Sequence, residues 1–193
     1  MKKDDRRVRY TKMVLQKSFI QLLAAKDISQ VTVKEICAQA DVNRTTFYAH
    51  YRDQYDLMHK IEAELLDNVS SYLFDNMESD SGKDIVRAVE KIFEYIKENA
   101  ELCQLLLSER GDINLQKQIM MLVYDKNMDN LLSSGRMTRE QAEYMHSFII
   151  TGCVGVVQRW LDEDMPYPAR YMAEMLVTLS VSLPGVLPQS QYV

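Results

Sequence analysis

Leu15, Phe19, Leu22 and Leu23 recur at three- and four-residue spacing between about Arg6 and Ala25, as expected of a helix with one apolar face. The rhythm then changes. In DISQVTVKEICAQADVNRTTFYAHYRDQYDL, Thr32 and Glu35 stand at capping-box spacing, so a short helix should open at Thr32 and run to about Gln39. Ala40, Asp41 and Val42 leave room only for a tight turn, and Asn43 is a good N-cap for a third helix through roughly Tyr51. Two short helices across such a turn predict a helix-turn-helix, whose second helix can enter a DNA major groove.

Downstream the period stays helical. Asp53 should cap a long fourth helix from about Gln54 to Met77, with Met58, Ile61, Leu65, Val69 and Tyr72 on its buried side. ESDSGKD reads as a loop, followed by a helix carrying Ile85, Val89, Ile92 and Ile96. Asn99 interrupts before the apolar stretch Leu102 to Leu107, and SERGDIN reads as another loop. Met120, Tyr124, Met128 and Leu131 mark one further helix. Thr138 and Gln141 form a second capping box, opening a long helix to about Leu161. DEDMPYP breaks that helix, Pro168 suits the first turn of a last one, and Pro184 ends it. The expectation is an all-α chain of about nine helices. A three-helix helix-turn-helix domain would cover residues 1–52 and a helical domain residues 53–193. Only 6 glycines and 4 prolines agree with this, because all-β chains need a turn every 8–12 residues or so.

Charge sharpens the division. Residues 1–60 hold 12 Lys and Arg against 7 Asp and Glu, whereas residues 61–193 hold 11 against 21. A basic first third on an acidic body points to a polyanionic partner for the first part. The three cysteines, Cys37, Cys103 and Cys153, lie far apart with no CxxC pair, and no signal peptide is evident. Reduced thiols and a cytoplasmic location are therefore expected. Apolar runs stop well short of the ~18 residues of a membrane span, so no membrane partner is expected. His50 and His59 have no third ligand nearby, and neither a nucleophile elbow nor a phosphate-cradling glycine loop occurs, so no enzyme activity, metal or cofactor is expected.

The crowded segment NRTTFYAHY then divides by face. Phe47 and Tyr51 are four apart, with Phe47 directed inward against Val31, Ile36 and Val42. Arg44, Thr45 and Tyr48 fall together on another face, with Thr46 beside them. Arginine can fork onto guanine O6 and N7, threonine can meet a phosphate or a thymine methyl, and a tyrosine hydroxyl can donate to phosphate. An ordinary amphipathic helix with a polar outside would show the same pattern.

From about Arg9 to Leu66, and above all in VTVKEICAQADVNRTTFYAHYRDQYDLM, the chain resembles the TetR family of bacterial regulators. FIITGCVGVVQRWLDEDMPYPARYMAEML is similar to a C-terminal variant common in Firmicutes-type members. The resemblance implies a homodimer whose paired N-terminal domains grip a palindromic double-stranded DNA operator, with C-terminal helices that dimerise and usually enclose a small molecule. It assigns Thr32 to capping and phosphate contact, Arg44, Thr45 and Thr46 to the bases, and Tyr48, His50 and Tyr51 to the DNA backbone or to bracing the helix on it. Two positions depart from the pattern. Asp41 stands where the turn often has glycine, and Gln54 stands where a phosphate-binding lysine is common, leaving that contact to Arg52 or Lys60. The basic arm Lys2, Lys3, Arg6, Arg7 and Arg9 would add minor-groove or phosphate contacts, or be a tail.

The last two long helices suggest a four-helix dimer seam built on Phe148, Gly152, Gly155, Val156, Met175 and Leu179. By pattern alone these residues fit an intramolecular core equally well. Among twelve methionines, Met120, Met128 and Met145, with Tyr95, Tyr124 and Trp160, would line an adaptable apolar effector pocket or simply fill the core. Two functions remain: a homodimeric repressor released by a small-molecule effector, or a helical adaptor or coactivator working through a protein partner.

Overall fold

The computed structural model describes residues 3–74, 82–107, 113–122, 124–133 and 137–182, and no strand occurs among them. The expected all-α class is the observed one. The chain forms two compact units, Met1–Leu65 and Leu66–Val193.

The first unit opens with α1 (Lys3–Ala25), which starts before the expected Arg6. Its Leu15 and Phe19 are fully buried, while Leu22 and Leu23 are half-buried. A 3-10 turn at Ile28–Gln30, which the apolar pattern did not signal, leads to α2 (Val33–Gln39). Thr32 caps α2 with both arms of the capping box in place. The turn then passes through Asp41 at φ 52°, the left-handed geometry for which glycine is the usual choice, and which Asp tolerates better than most side chains.

The third helix, α3 (Arg44–Tyr48), is shorter than the expected run to Tyr51. The last turn tightens where His50 N donates to Phe47 O at 2.9 Å in a 3-10-type bond, sharing that carbonyl with Tyr51 N, also at 2.9 Å. Asp53 caps α4 (Gln54–Phe74), its Oδ1 accepting from Asp56 N at 2.8 Å. Leu57, Ile61 and Leu65 of α4 are buried, as are Val31, Ile36, Cys37, Phe47 and Tyr51. The early turns of α4 thus belong to the N-terminal unit, and the division falls after Leu65, later than the expected residue 52. The part of α4 expected beyond Phe74 lies outside the described residues.

The second unit contains the rest of α4, α5 (Gly82–Glu98), α6 (Ala100–Leu107), α7 (Ile113–Leu122), α8 (Tyr124–Ser133), α9 (Arg139–Asp162) and α10 (Ala169–Ser182). Of ESDSGKD, residues 78–81 lie outside the described residues, but Gly82, Lys83 and Asp84 already belong to α5, where Asp84 suits the positive end of the helix. Of SERGDIN, residues 108–112 are likewise outside, and Ile113 and Asn114 begin α7. The helix expected around Met120 to Leu131 corresponds to α7 and α8; the side chains of Met120 and Leu131, and Pro184, lie outside the described residues. Asn99 separates α5 from α6: its amide side chain donates to Tyr95 O at 2.8 Å and its carbonyl accepts from Cys103 N at 2.9 Å. Thr138 and Gln141 form the expected reciprocal box at the start of α9.

Helix α5 runs against α10, while α6 and α8 both pack on α9. Phe93, Trp160 and Leu161 are buried, with Phe93 and Trp160 ring centroids 5.1 Å apart and edge-on. Arg170 ties α10 to α5 through Glu90 at 2.8 Å. No helix among the described residues is long and apolar enough to cross a membrane.

Candidate nucleic-acid interface

Five residues make little more than one helical turn, so α3 depends on its ends. Asn43 Oδ1 accepts from Thr46 N at 2.7 Å and from the Thr46 hydroxyl at 2.9 Å, satisfying an orphan amide of the first turn. Thr46 is thereby engaged with the cap. Phe47 is fully buried, its ring 5.5 Å from that of Tyr51 and 5.6 Å from that of Tyr48. This seats one side of α3 in the core. Arg44, Thr45 and Tyr48 stay exposed on the other, with Tyr48 57% accessible.

Arg44 stands out electrostatically. It sits in the first turn of α3, where the helix dipole disfavours a cation, and has no carboxylate within ion-pair distance among the described residues. Arg52, by contrast, lies beside Asp56, and Arg170 lies between Glu90 and Glu174. An exposed guanidinium placed against the local dipole is stabilised when an anion or a base edge meets it.

The remaining expected contacts separate. Thr32 is exposed at the start of α2, but its hydroxyl and amide are both bonded to Glu35 Oε2, at 2.8 and 3.0 Å. Lys26 reaches the other Glu35 oxygen at 2.7 Å, and these bonds, Lys26 first, hold the Glu35 carboxyl down at about 2. His50 is half-buried beside Tyr51. Tyr51 is only 3% exposed, and burial pushes its phenol up to about 12, so it braces α3 from the core side. Lys60 is exposed but engaged, its ammonium on His50 O at 2.8 Å and Asp56 Oδ2 at 3.0 Å. The sequence reading did not single out Asp56, although the four-residue spacing of Arg52, Asp56 and Lys60 signals such a charge ladder.

Of the six residues expected around an effector in the second unit, Met120 has its side chain outside the described residues. Tyr124, Met128 and Met145 do come together, in a cluster with Ala142, Leu132, Met137 and Ile149. Trp160 packs on Phe93 and donates from Nε1 to Tyr167 O at 3.0 Å. Tyr95 stands beside Tyr72 and accepts from Asn68 Nδ2 at 3.3 Å. Buried His146, edge-on to Tyr124 with centroids 5.0 Å apart, adjoins the methionine cluster; no spacing in the sequence marked it.

Of the six seam residues on α9 and α10, Phe148, Gly152, Gly155 and Leu179 are exposed. Phe148 is 63% exposed and Leu179 52%, Tyr144 is exposed one turn before Phe148, and a Cβ at Gly152 or Gly155 would meet nothing within 4 Å. Val156 and Met175 are half-buried. An intramolecular core therefore does not account for Phe148, Gly152, Gly155 and Leu179.

Comparison with known proteins agrees with this layout. Residues 20–61 match the model described as bacterial regulatory proteins, tetR family, and residues 83–181 match the one described as transcriptional regulator C-terminal region. An uncharacterized HTH-type transcriptional regulator, YxbF of Bacillus subtilis, is 35% identical over 74 residues, 36% of this chain and 20% of that protein. The match thus spans about a fifth of that relative. The fold is shared with the fatty acid degradation regulator FadR from Bacillus halodurans, at TM-score 0.62 and 18% identity over 93% of this chain and 97% of that one. A TetR transcriptional regulator from Streptococcus agalactiae gives TM-score 0.57 and 20% identity over 92% and 97%. With both its helix-turn-helix and its C-terminal region matched, the chain belongs to the TetR family of transcriptional regulators, and its helix-turn-helix is the family's DNA-binding module.

Proposed function

We propose that the protein is a homodimeric repressor that sets two copies of α3 into successive major grooves of a palindromic operator and is released by an effector. The observation that carries the reading is the exposed Arg44, Thr45 and Tyr48 face, with its cation lacking an internal acidic partner among the described residues. In this reading Arg44 and Thr45 meet base edges, Tyr48 meets phosphate, and Thr46 holds the helix start through Asn43.

Dimerisation is supported by the outward strip of Tyr144, Phe148, Gly152 and Gly155 on α9 and by Leu179 on α10. An apolar strip with bare glycines favours close approach of a second copy about a two-fold axis, and each contact is then made twice. Two such subunits would hold their reading helices about 34–36 Å apart, one turn of DNA. A dimer seated over a promoter would block it.

For the effector, the α8–α9 cluster of Tyr124, Met128 and Met145 offers adaptable apolar surface, which suits an apolar ligand. The B. halodurans neighbour is a regulator of fatty acid degradation, which is consistent with that chemistry. Release follows if the ligand binds better to a form whose reading helices no longer match the groove spacing.

The test is selection of genomic DNA fragments by the purified, folded protein, with the double variant Arg44→Ala/Tyr48→Ala as control. Enrichment of one short palindrome by wild type alone is the expected result. Equal enrichment by both would move the reading face off α3, and no enrichment by either, with the protein folded and dimeric, would sink the proposal and favour an adaptor or coactivator acting through a protein partner.

A further inference from the structure

We propose that Lys60 and Asp56 form a clamp that positions α3 for reading, and that Lys60 is a positioning residue, not a phosphate contact. The inference rests on the reading role proposed above for α3.

The need for a clamp follows from length. Isolated helices below roughly 12–15 residues are marginal in water, and α3 has five. Asn43 secures its start; the chain leaving its end runs through Ala49 and His50 into the buried Tyr51. There Lys60, from the second turn of α4, places its ammonium 2.8 Å from His50 O and 5.2 Å from the centroid of the Tyr51 ring. A cation at this position suits the negative end of α3.

Asp56 orients that cation. Its Oδ2 accepts from Lys60 Nζ at 3.0 Å and from the Arg52 amide at 2.9 Å, while Arg52 Nη2 lies 3.4 Å from Oδ1. The side chain is only 12% exposed, so the carboxylate is held between the loop and α4. One acid thus fixes Arg52 and Lys60, and Lys60 fixes the His50 carbonyl. Two of the three donors of the ammonium are committed inside the protein. The lysine that the motif lacks at Gln54 is therefore not replaced by Lys60: this cation already serves the helix.

Charge makes the test sharp. Electrostatics alone would have Asp56→Asn strengthen DNA binding, because it removes a negative charge near phosphates, whereas loss of the clamp weakens specific binding. Three readouts are taken on the full chain: amide exchange of residues 48–52 in the free protein, affinity for the selected operator, and the salt dependence of that affinity. Asp56→Asn and Lys60→Met should each speed exchange at these amides, with the rest of the protein protected as in wild type. Each should lower affinity for the selected operator by roughly tenfold, about 1.4 kcal/mol. The slope of log K against log salt should stay at the wild-type value in Lys60→Met, because a lost phosphate contact would lower it by about 0.9. Lys60→Arg, which can still reach the His50 carbonyl, should recover most of the affinity. Unchanged exchange in both variants overturns the clamp, and a slope change of that size in Lys60→Met makes Lys60 a phosphate contact. If wild type selects no DNA while exchange responds as expected, the clamp stands as a structural brace and the reading role of α3 fails.

Discussion

Replacing both exposed glycines of α9, as Gly152→Leu/Gly155→Leu, separates the fold of one chain from its assembly. Within the chain, a Cβ at either position meets nothing within 4 Å, and leucine is favoured over glycine in a helix interior by somewhat less than the roughly 0.8–1 kcal/mol that separates alanine from glycine. The double variant should therefore gain up to about 2 kcal/mol in the isolated subunit. Across a two-fold seam the sign reverses. Each side chain inserted into a close-packed contact costs about 1–3 kcal/mol, and symmetry presents the two substitutions twice. The total, about 4–12 kcal/mol, matches or exceeds the roughly 4.1 kcal/mol that separates a nanomolar from a micromolar dimer. Sedimentation equilibrium should find wild type dimeric and the variant monomeric at micromolar concentration, with helical circular dichroism intact. A variant that stays dimeric with unchanged affinity and simply melts higher would refute the seam, and so would a monomeric wild type.

Three further outcomes follow from the N-terminal unit. Asn43→Ala removes the acceptor for Thr46 N and should cost about 0.5–2 kcal/mol in urea denaturation, with DNA affinity falling alongside. Asp41→Val puts a β-branched side chain at φ 52° and should cost about 1–2 kcal/mol, whereas Asp41→Gly should not destabilise; equal stabilities would show that the turn carries no strain. The Glu35 carboxyl sits at about 2, below its ordinary 4.5, so its contribution is complete above pH 4.5 and is lost as pH falls towards 2. Amide protection of α2 should decline across that window in wild type, and Glu35→Gln should remove that part of the pH dependence.

Much of this molecule was legible in its residues because its helices announce their own starts. Thr32 with Glu35, Asn43, Asp53 and Thr138 with Gln141 all cap as their spacing requires. Ends were harder to read. Tyr51 continues the apolar spacing of Phe47, yet the chain turns after Tyr48, where His50 N makes a 3-10-type bond to Phe47 O and Lys60 of α4 holds the His50 carbonyl. That contact spans ten residues and has no local signature. Long side chains with both apolar and polar parts were similarly ambiguous. Tyr48 and Tyr51 differ by one turn, but one is exposed and the other buried. Periodicity also could not separate an internal seam from an external one, because Phe148 and Leu179 read as core residues until the neighbouring helices are in place. The methionine positions were ambiguous for the same reason: among the described residues, Met128 of α8 and Met145 of α9 meet, with Met137 packed against them.

The central claim is that the exposed face of α3 reads base edges. Its most direct test is to titrate wild type and Arg44→Ala against the selected operator and against every single-base variant of one half-site, at one fixed salt concentration. Wild type should discriminate at the position met by Arg44 by about 1–3 kcal/mol, and Arg44→Ala should lose that discrimination there while keeping it elsewhere. If Arg44→Ala kept the wild-type affinity and the same preference at every position, the reading face would lie elsewhere on the molecule.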